Sequence, residues 1–266
     1  MRTCQFLPLL RNELAKTARR KLPYFGIFII ALLSLVVYVA AERLTTATGS
    51  NAWGYAALSM QLLFTDLGLI CIIVFSAMLL SEETGTGAIR AALSAPVHRW
   101  ELYLAKAVMG LIYMLVLSLA ALACSLVLAR VRYQFGAVGD SYGVVYDRGK
   151  LLQVFVTAYL LSWVPLMTLV MYGLFVSTVI RSPGAAVAVG ITTIYLVDFT
   201  KNLIGLDPYI FTKYTVYPWL ILQQVTQGLD YQWQPGLGQM LVLSAGYALA
   251  AFGGGLFIFV RQDLNH

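Results

Sequence analysis

The sequence predicts an all-α polytopic membrane protein with six transmembrane helices. Hydrophobic residues make up 60% of the 266 residues and charged residues only 11%, whereas a soluble domain carries roughly 25% charged residues. The apolar residues form continuous runs near the length of about 20 residues that a spanning helix needs. In lipid every backbone polar group must be paired within its segment, and the runs lack the alternation of barrel strands, so helices are predicted.

Polar or turn-forming residues separate the predicted spans. The first span follows Pro23, the fourth contains Pro165, and the fifth loses its apolar character at Asp198. The predicted spans are 24–41, 54–80, 102–129, 151–180, 184–200 and 237–260. Around them lie an interfacial segment 1–23, a cytoplasmic loop 81–101, an external loop 130–150, an external segment 201–236 and a tail 261–266.

The distribution of lysine and arginine predicts that both termini are cytoplasmic. Six bases precede the first span and only Arg43 follows it closely, and the first span usually sets the orientation. The bases that this orientation places inside are Arg2, Arg11, Lys16, Arg19, Arg20, Lys21, Arg90, Arg99, Lys106, Arg181 and Arg261. The fewer bases that it places outside are Arg43, Arg130, Arg132, Arg148, Lys150, Lys201 and Lys213.

A short amphipathic helix at the cytoplasmic interface is predicted before the first span. Apolar residues recur there at four-residue spacing, with bases on the other faces. Arg19 and Arg20 before an apolar run also resemble a twin-arginine signal. The run is longer than a usual signal core and five more spans follow, which favours an uncleaved first span. The apolar positions are Phe6, Leu10, Leu14 and Ala18.

The segment from Glu82 to Lys106, here called the connector, holds the densest polar pattern of the chain. Paired acids end the second span, a Gly-Thr-Gly turn follows, a short helix is predicted at 88–93, and bases anchor the third span at the interface. Such a helix suits a groove on a partner protein, although an ordinary solvated loop is the simpler alternative. The candidate contact residues are Glu82, Glu83, Gly85, Thr86, Gly87, Ile89, Arg90, Leu93, Pro96 and Arg99.

These residues carry a resemblance to a known family. The string Glu82-Glu83-x-Gly85-Thr86-Gly87-x-x-Arg90, followed by Leu93, Pro96, Arg99 and Lys106, resembles the signature of ABC-2 type transporter permeases. The resemblance implies a type V exporter-like fold in the bacterial inner membrane and a permease half that forms a homodimer. Each half would dock one of two ATP-binding subunits through the helix around Gly87 to Leu93, with Arg181, Ser182 and Pro183 as a second cytoplasmic contact.

The chain contains no Gly-x-x-x-x-Gly-Lys-Ser/Thr string, which is the loop that cradles nucleotide phosphates. We therefore expect ATP and Mg²⁺ to be bound by the partner ATPase and no cofactor by this chain. The chain itself is expected not to be an enzyme. Closure of the ATPase dimer would push the docked helices and alternate the access to a path between the two halves.

Polar residues inside the spans are candidates for the translocation path. Asp66, with Gln61 nearby, lies in the second span, where an ionisable side chain is costly and often functional. Structural pairing of Asp66 with a base such as Arg130 or Lys201 and a direct role in the path both remain open. Asp198, at the outer end of the fifth span, is a further path candidate or part of a cluster that sets the membrane boundary.

The external segment 201–236 is rich in aromatic residues and interrupted by prolines. Its middle is too apolar for a free loop and too interrupted to span, which predicts re-entrant or interfacial helices; an aromatic belt is the simpler alternative. ABC-2 permeases look similar here, which implies an exit gate. The gate candidates are Tyr209, Phe211, Tyr217 and Trp219. The loop 130–150 is expected to cap the exit or contact a periplasmic or external accessory protein.

The composition disfavours other classes of function. With only two histidines and three scattered cysteines, the sequence offers no intramembrane metal site or histidine-based nucleophile. The net charge of +6 fits bases flanking membrane spans, and no nucleic-acid partner is expected. A secondary carrier or a non-transporting membrane scaffold remains the alternative function. No convincing internal repeat, which a carrier would favour, is present.

Overall fold

The computed structural model describes residues 6–44, 51–65, 67–87, 98–140 and 143–262. The described part is mostly helical. Its helices are α1 (Phe6–Arg19), α2 (Lys21–Leu44), α3 (Ala52–Thr65), α4 (Leu67–Gly85), α5 (Arg99–Arg132), α6 (Arg148–Val179), α7 (Pro183–Leu203), α8 (Lys213–Thr226) and α9 (Gly236–Arg261). A 3-10 turn, Asp207–Tyr209, precedes α8.

Six helical segments within the described residues are long and apolar enough to cross a membrane, which confirms the predicted number. They are Lys21–Ala40, Ala52–Gly85, Arg99–Arg132, Arg148–Val179, Pro183–Lys201 and Gly236–Arg261. The second of these comprises α3 and α4 together. The 14-residue helix α8 is too short to span, and it packs against α3 and α6 instead.

A two-stranded antiparallel hairpin, β1 (Val138–Asp140) and β2 (Gly143–Tyr146), occupies the loop between α5 and α6. Val138 pairs with Tyr146 and Gly139 with Val144. The sequence analysis did not anticipate these strands. Runs of three and four residues are too short to produce a recognisable alternation, although β-branched and aromatic residues flank the turn.

Helices α4 and α6 form the centre of the bundle. α4 contacts α2, α3, α5, α6 and α7, and α6 contacts every helix from α3 to α9. Small residues allow close approach: a Cβ added at Gly173 would overlap the Ser76 hydroxyl, and one at Gly110 would press on Val170. The hydroxyl of Ser177 on α6 accepts bonds from the backbone N–H groups of Leu80 and Ser81 on α4, at 2.8 and 2.9 Å. Such small-residue crossings are typical of membrane helices.

Helices α2, α7 and α9 form the outside of the bundle. Only 22%, 17% and 11% of the residues in their most apolar windows are buried, so most of their side chains face outward. Exposed apolar residues include Phe28 and Val39 on α2, Phe199 on α7 and Leu249 on α9. In a membrane protein these faces contact lipid or another membrane-spanning chain.

Helix α1 packs against α5 and, less extensively, against α2. Of its four predicted apolar positions, Leu10 packs against the core, whereas Leu14 is 40% exposed and Ala18 is also exposed. The buried residue of α1 is Glu13, with only 3% of its surface exposed. The helix itself is present where the sequence predicts it, whereas its place at the membrane interface stays a prediction.

Candidate functional site

A charged cluster joins α1 to both flanks of the connector. Lys106, on the second turn of α5, places its Nζ 2.5 Å from Glu13 Oε2 and 2.7 Å from Glu83 Oε1. Lys16 Nζ lies 3.0 Å from Glu13 Oε1 and 3.2 Å from Glu83 Oε1. Glu13, Lys16, Glu83 and Lys106, here called the charged cluster, therefore tie three helices that are far apart in sequence.

Three members of the charged cluster are almost completely buried: Glu13 is 3%, Glu83 4% and Lys106 2% exposed. The sequence analysis placed Lys106 as an anchor at the membrane interface, and this was wrong, because the two carboxylates hold its ammonium group inside the protein. Removing an ion from water costs several kcal/mol. Two acids and two bases within hydrogen-bond distance offset that cost by mutual attraction.

The cluster shifts the pKa values of its two α1 residues. Burial alone would raise the pKa of Glu13, but Lys106 and Lys16 outweigh it and hold this pKa below the ordinary value of 4.5. Burial alone would lower the pKa of Lys16, but Glu13 and Glu83 raise it above 10.5. Both residues are therefore charged at neutral pH. The Oε2 atom of Glu83 is buried and has no hydrogen-bond partner among the described residues.

The end of α4 forms the turn that the sequence predicts. The N–H of Thr86 donates to the carbonyl of Glu82 at 3.1 Å, and the N–H of Gly87 to that of Thr84 at 3.3 Å. Gly87 adopts a φ of 73°, the left-handed conformation that favours glycine at a helix end. A half-exposed ion pair between Arg20 Nη1 and Glu82 Oε2, at 2.6 Å, adds a second link from the α1–α2 junction to the connector.

The turn between α6 and α7 lies against the end of α4. Thr84 Oγ1 donates to the carbonyl oxygen of Arg181 at 3.4 Å. A Cβ at Gly85 would come within 3.0 Å of that oxygen and 3.5 Å of Pro183 Cδ. Ser182 takes the N-cap position of α7 without a side-chain capping bond, and Pro183 starts the helix. The structure thus places the start of the connector, at Thr84 and Gly85, against residues 181–183.

Arg99 connects the start of α5 to the end of α9. Its Nη1 donates to the carbonyl oxygens of Val260 at 3.1 Å and Gln262 at 2.7 Å. Gln262 Nε2 in turn donates to the carbonyl of Thr178, at the end of α6, at 3.0 Å. A cation at the C-terminus of a helix pairs with carbonyls that lack partners within the helix. Arg99 was a candidate for partner contact, and one edge of its guanidinium is already used within the chain.

Four connector candidates, Ile89, Arg90, Leu93 and Pro96, lie outside the described residues, and their roles stay predictions. Sequence reasoning missed Glu13, Lys16 and Gln262. One signal for the first was present: Glu13 is the single acid in a basic helix, three residues before Lys16. Its partner Lys106 is 93 residues away, and sequence spacing contains no information about such a contact.

The two translocation-path candidates that the structure describes, Gln61 and Asp198, have different partners. The side-chain amide of Gln61 on α3 accepts a hydrogen bond from Gln223 Nε2 on α8. The carboxylate of Asp198 lies 2.5 Å from Lys201 Nζ on the same helix. Lys201 also contacts Thr212 at 3.2 Å, in the segment before α8. Asp66 lies outside the described residues.

The four gate candidates have different surroundings. Tyr209 is 65% exposed, whereas Phe211 is buried against the ring of Tyr247, with 5.4 Å between the ring centres. The hydroxyl of Tyr217 donates to the carbonyl of Trp233 at 2.8 Å. Trp219 is fully buried and stacks on Phe64 of α3 at 6.2 Å. Trp219 therefore fixes α8 to the bundle, and Tyr209 presents the open surface.

Comparison with known sequences assigns the chain to a protein family. The sequence profile of the ABC-2 family, described as ABC-2 family transporter proteins, matches residues 9–198. That range contains most of α1, the charged cluster, the connector and the turn at 181–183. A search among curated proteins finds no match. Since the profile covers more than half of the chain, this multi-pass membrane protein belongs to the ABC-2 family of transporters as a permease.

Proposed function

We propose that the chain is the membrane half of an exporter, driven by a separate ATPase that docks on the connector and on residues 181–183. An ABC ATPase partner is implied by the family. The observation that carries the coupling role is the charged cluster, in which Lys106 bridges Glu13 of α1 and Glu83 of α4. Because Glu83 and Lys106 flank the docking segment, a force applied there reaches three helices together.

Because the ions of the charged cluster are buried, they resist separation when a force acts on the connector. Separating Lys106 from the two carboxylates would leave buried charges with only partial compensation from Lys16, and breaking a buried pair costs about 3–5 kcal/mol. The ends of α1, α4 and α5 should therefore move as one rigid unit. Arg99 extends the unit to α9, and the bond from Thr84 to the carbonyl of Arg181 extends it to α7.

In the proposed cycle, two copies of the chain form a homodimer, and ATP with Mg²⁺ is bound only in the ATPase subunits. Closure of the ATPase dimer pushes the connectors, and the rigid units tilt the spans to alternate access to a path between the halves. Gln61, Asp66 and Asp198 are assigned to the path and Tyr209, Phe211, Tyr217 and Trp219 to the exit. The connector and both termini are assigned to the cytoplasmic side of a bacterial inner membrane.

The test is reconstitution of this chain with an ABC ATPase from the same organism. We expect co-purification of the two proteins and a permease-dependent increase in the ATP hydrolysis rate. Arg90→Ala in the connector should retain a folded permease but lose the increase in ATP hydrolysis. Lys21→Ala, which removes an exposed base at the start of α2, should leave that increase unchanged. A permease that binds no ATPase and moves solute down an ion gradient would instead establish the secondary carrier.

A further inference from the structure

An apolar groove opens between α3, α5 and α6, near the hairpin. Its volume of about 480 Å³ lies within the range of roughly 300–1,000 Å³ that is usual for ligand sites. None of its lining residues belongs to the charged cluster or to the path and gate candidates, although the ring of Phe155 also contacts that of Trp219, with 6.3 Å between the ring centres. Its lining residues on the three helices include Trp53, Leu126, Arg130, Leu152, Phe155 and Tyr159.

The floor of the groove presents carbon atoms only. Trp53 and Phe155 are each 4% exposed and Tyr159 is 7% exposed. The polar atoms of these rings are bonded elsewhere: Trp53 Nε1 donates to the carbonyl of Gly136 at 3.2 Å, and the Tyr159 hydroxyl pairs with that of Ser118 at 3.2 Å. A ligand on this floor can therefore gain apolar burial but no hydrogen bond, which suits a hydrocarbon chain.

Arg130 is the one charged residue among the lining residues, and it contributes only carbon atoms to the groove wall, whose exposed surface is apolar throughout. It is exposed, and no ion pair or hydrogen bond joins it to another side chain or carbonyl in the part of the chain that the structure describes. Arg132, two residues on, differs: it donates to the carbonyl of Tyr38 at 3.2 Å and lies over two tyrosine rings. The guanidinium of Arg130 is thus available to a ligand, and its planar donors match phosphate or carboxylate oxygens.

We propose that this groove binds a lipid, with the acyl chain along the aromatic floor and the anionic headgroup on Arg130. A peptide would leave its backbone groups unpaired on a floor without polar atoms. A small inorganic anion would make no use of that floor. Only an amphipathic anion uses both the carbon surface and the adjacent cation.

The experiment measures lipid binding to the purified full-length chain in a neutral detergent by native mass spectrometry. The probes are dioleoylphosphatidylglycerol and dioleoylphosphatidylcholine, which share acyl chains, together with glycerol phosphate, which shares only the headgroup chemistry. We expect the anionic lipid to bind roughly tenfold more tightly than the neutral one, the effect of one charge-assisted contact. Glycerol phosphate should neither bind nor compete.

Variants separate the headgroup from the chain. Arg130→Gln should abolish the preference for the anionic lipid, and Arg130→Lys should retain most of it. Arg148→Gln, an exposed arginine at the start of α6 outside the lining, is the matched control and should keep it fully. Val156→Trp, at the half-exposed rim, should fill the groove and weaken both lipids. Equal binding of the two lipids, a preserved preference in Arg130→Gln, or displacement by glycerol phosphate would each overturn the proposal.

Discussion

The connector end of the bundle and the hairpin end are assembled from different interactions. At the connector end, Lys106 and Arg99 join helices through ions and through bonds to terminal carbonyls. At the hairpin end, aromatic rings do the joining: Trp53 lies 4.8 Å from Phe135, and Tyr55 lies 5.7 Å from Tyr133. Ion pairs in a buried site demand specific partners, whereas ring packing is less directional. The first arrangement suits the transmission of a force, and the second suits a surface that accommodates movement.

The largest effect on this comparison is expected from Lys106→Met. The substitution keeps the length of the side chain but removes the buried cation, so that the carboxylates of Glu13 and Glu83 share only the partly exposed Lys16. We expect a loss of about 3–5 kcal/mol of unfolding free energy, measured by thermal or denaturant unfolding in detergent. Lys21→Met, an exposed base on α2, is the control and should stay within about 0.5 kcal/mol. Similar stability of the two variants would contradict the cluster's role.

A smaller loss of stability is expected from Trp219→Phe, at a site where aromatic packing and not ion pairing joins the helices. The shorter ring keeps an aromatic contact with Phe64 but leaves part of the buried site unfilled, at a cost of about 1–2 kcal/mol. Because no ion is involved, this loss should be the same at pH 5 and at pH 8. An unfolding series at both pH values checks this, and a pH-dependent loss would show that the two ends are not independent.

The charged cluster should also make the free energy of unfolding depend on pH. A group whose folded pKa is lowered, as for Glu13, contributes stability above its unfolded value of 4.5 and loses it as the pH falls through the folded pKa. Lys16, whose pKa is raised, contributes fully below 10.5 and loses this contribution as the pH rises through its folded pKa. Their joint contribution should be constant between about pH 5 and 10. As the pH is lowered below about 5, the unfolding midpoint of Glu13→Gln should fall less than that of the wild type.

The smallest effect is expected from Arg20→Gln. The ion pair of Arg20 with Glu82 is about one-third exposed on both sides, and exposed pairs contribute about 0–1 kcal/mol. The unfolding free energy should therefore change by less than about 1 kcal/mol, and less still in high salt. A loss as large as that of Lys106→Met would place Glu82 in the same rigid unit as the charged cluster.

Hydropathy was sufficient to predict the six membrane-spanning segments, because continuous apolar runs have no soluble alternative. The paired acids and the glycine turn of the connector were also visible, since Gly87 has the left-handed φ that such a turn requires. The partners of Glu83 were not visible. A lysine at a span boundary usually reaches toward water, and only the packing of α1 against α5 shows that Lys106 is directed inward.

The outer segment shows the same limit of sequence reasoning. Its aromatic residues were conspicuous, but composition could not separate Trp219, which is fully buried, from Tyr209, which is 65% exposed. That division depends on how α8 packs on α3 and α6. The groove at Arg130 is likewise formed by residues of three helices together with Phe135 before the hairpin, and no single stretch of sequence indicates it.

The close crossing of α4 and α6 has a mechanical consequence. Where Gly173 meets Ser76 there is no room for even one more carbon atom, so the two helices cannot slide past each other without separating. At this crossing, α4 and α6 therefore move together as one unit. A pathway would then open by movement of this helix pair relative to the less buried outer helices. If the pair tilts about the crossing, the displacement of the connector depends on the length of α4 between Ser76 and Glu83, which is fixed by the number of residues in that part of the helix.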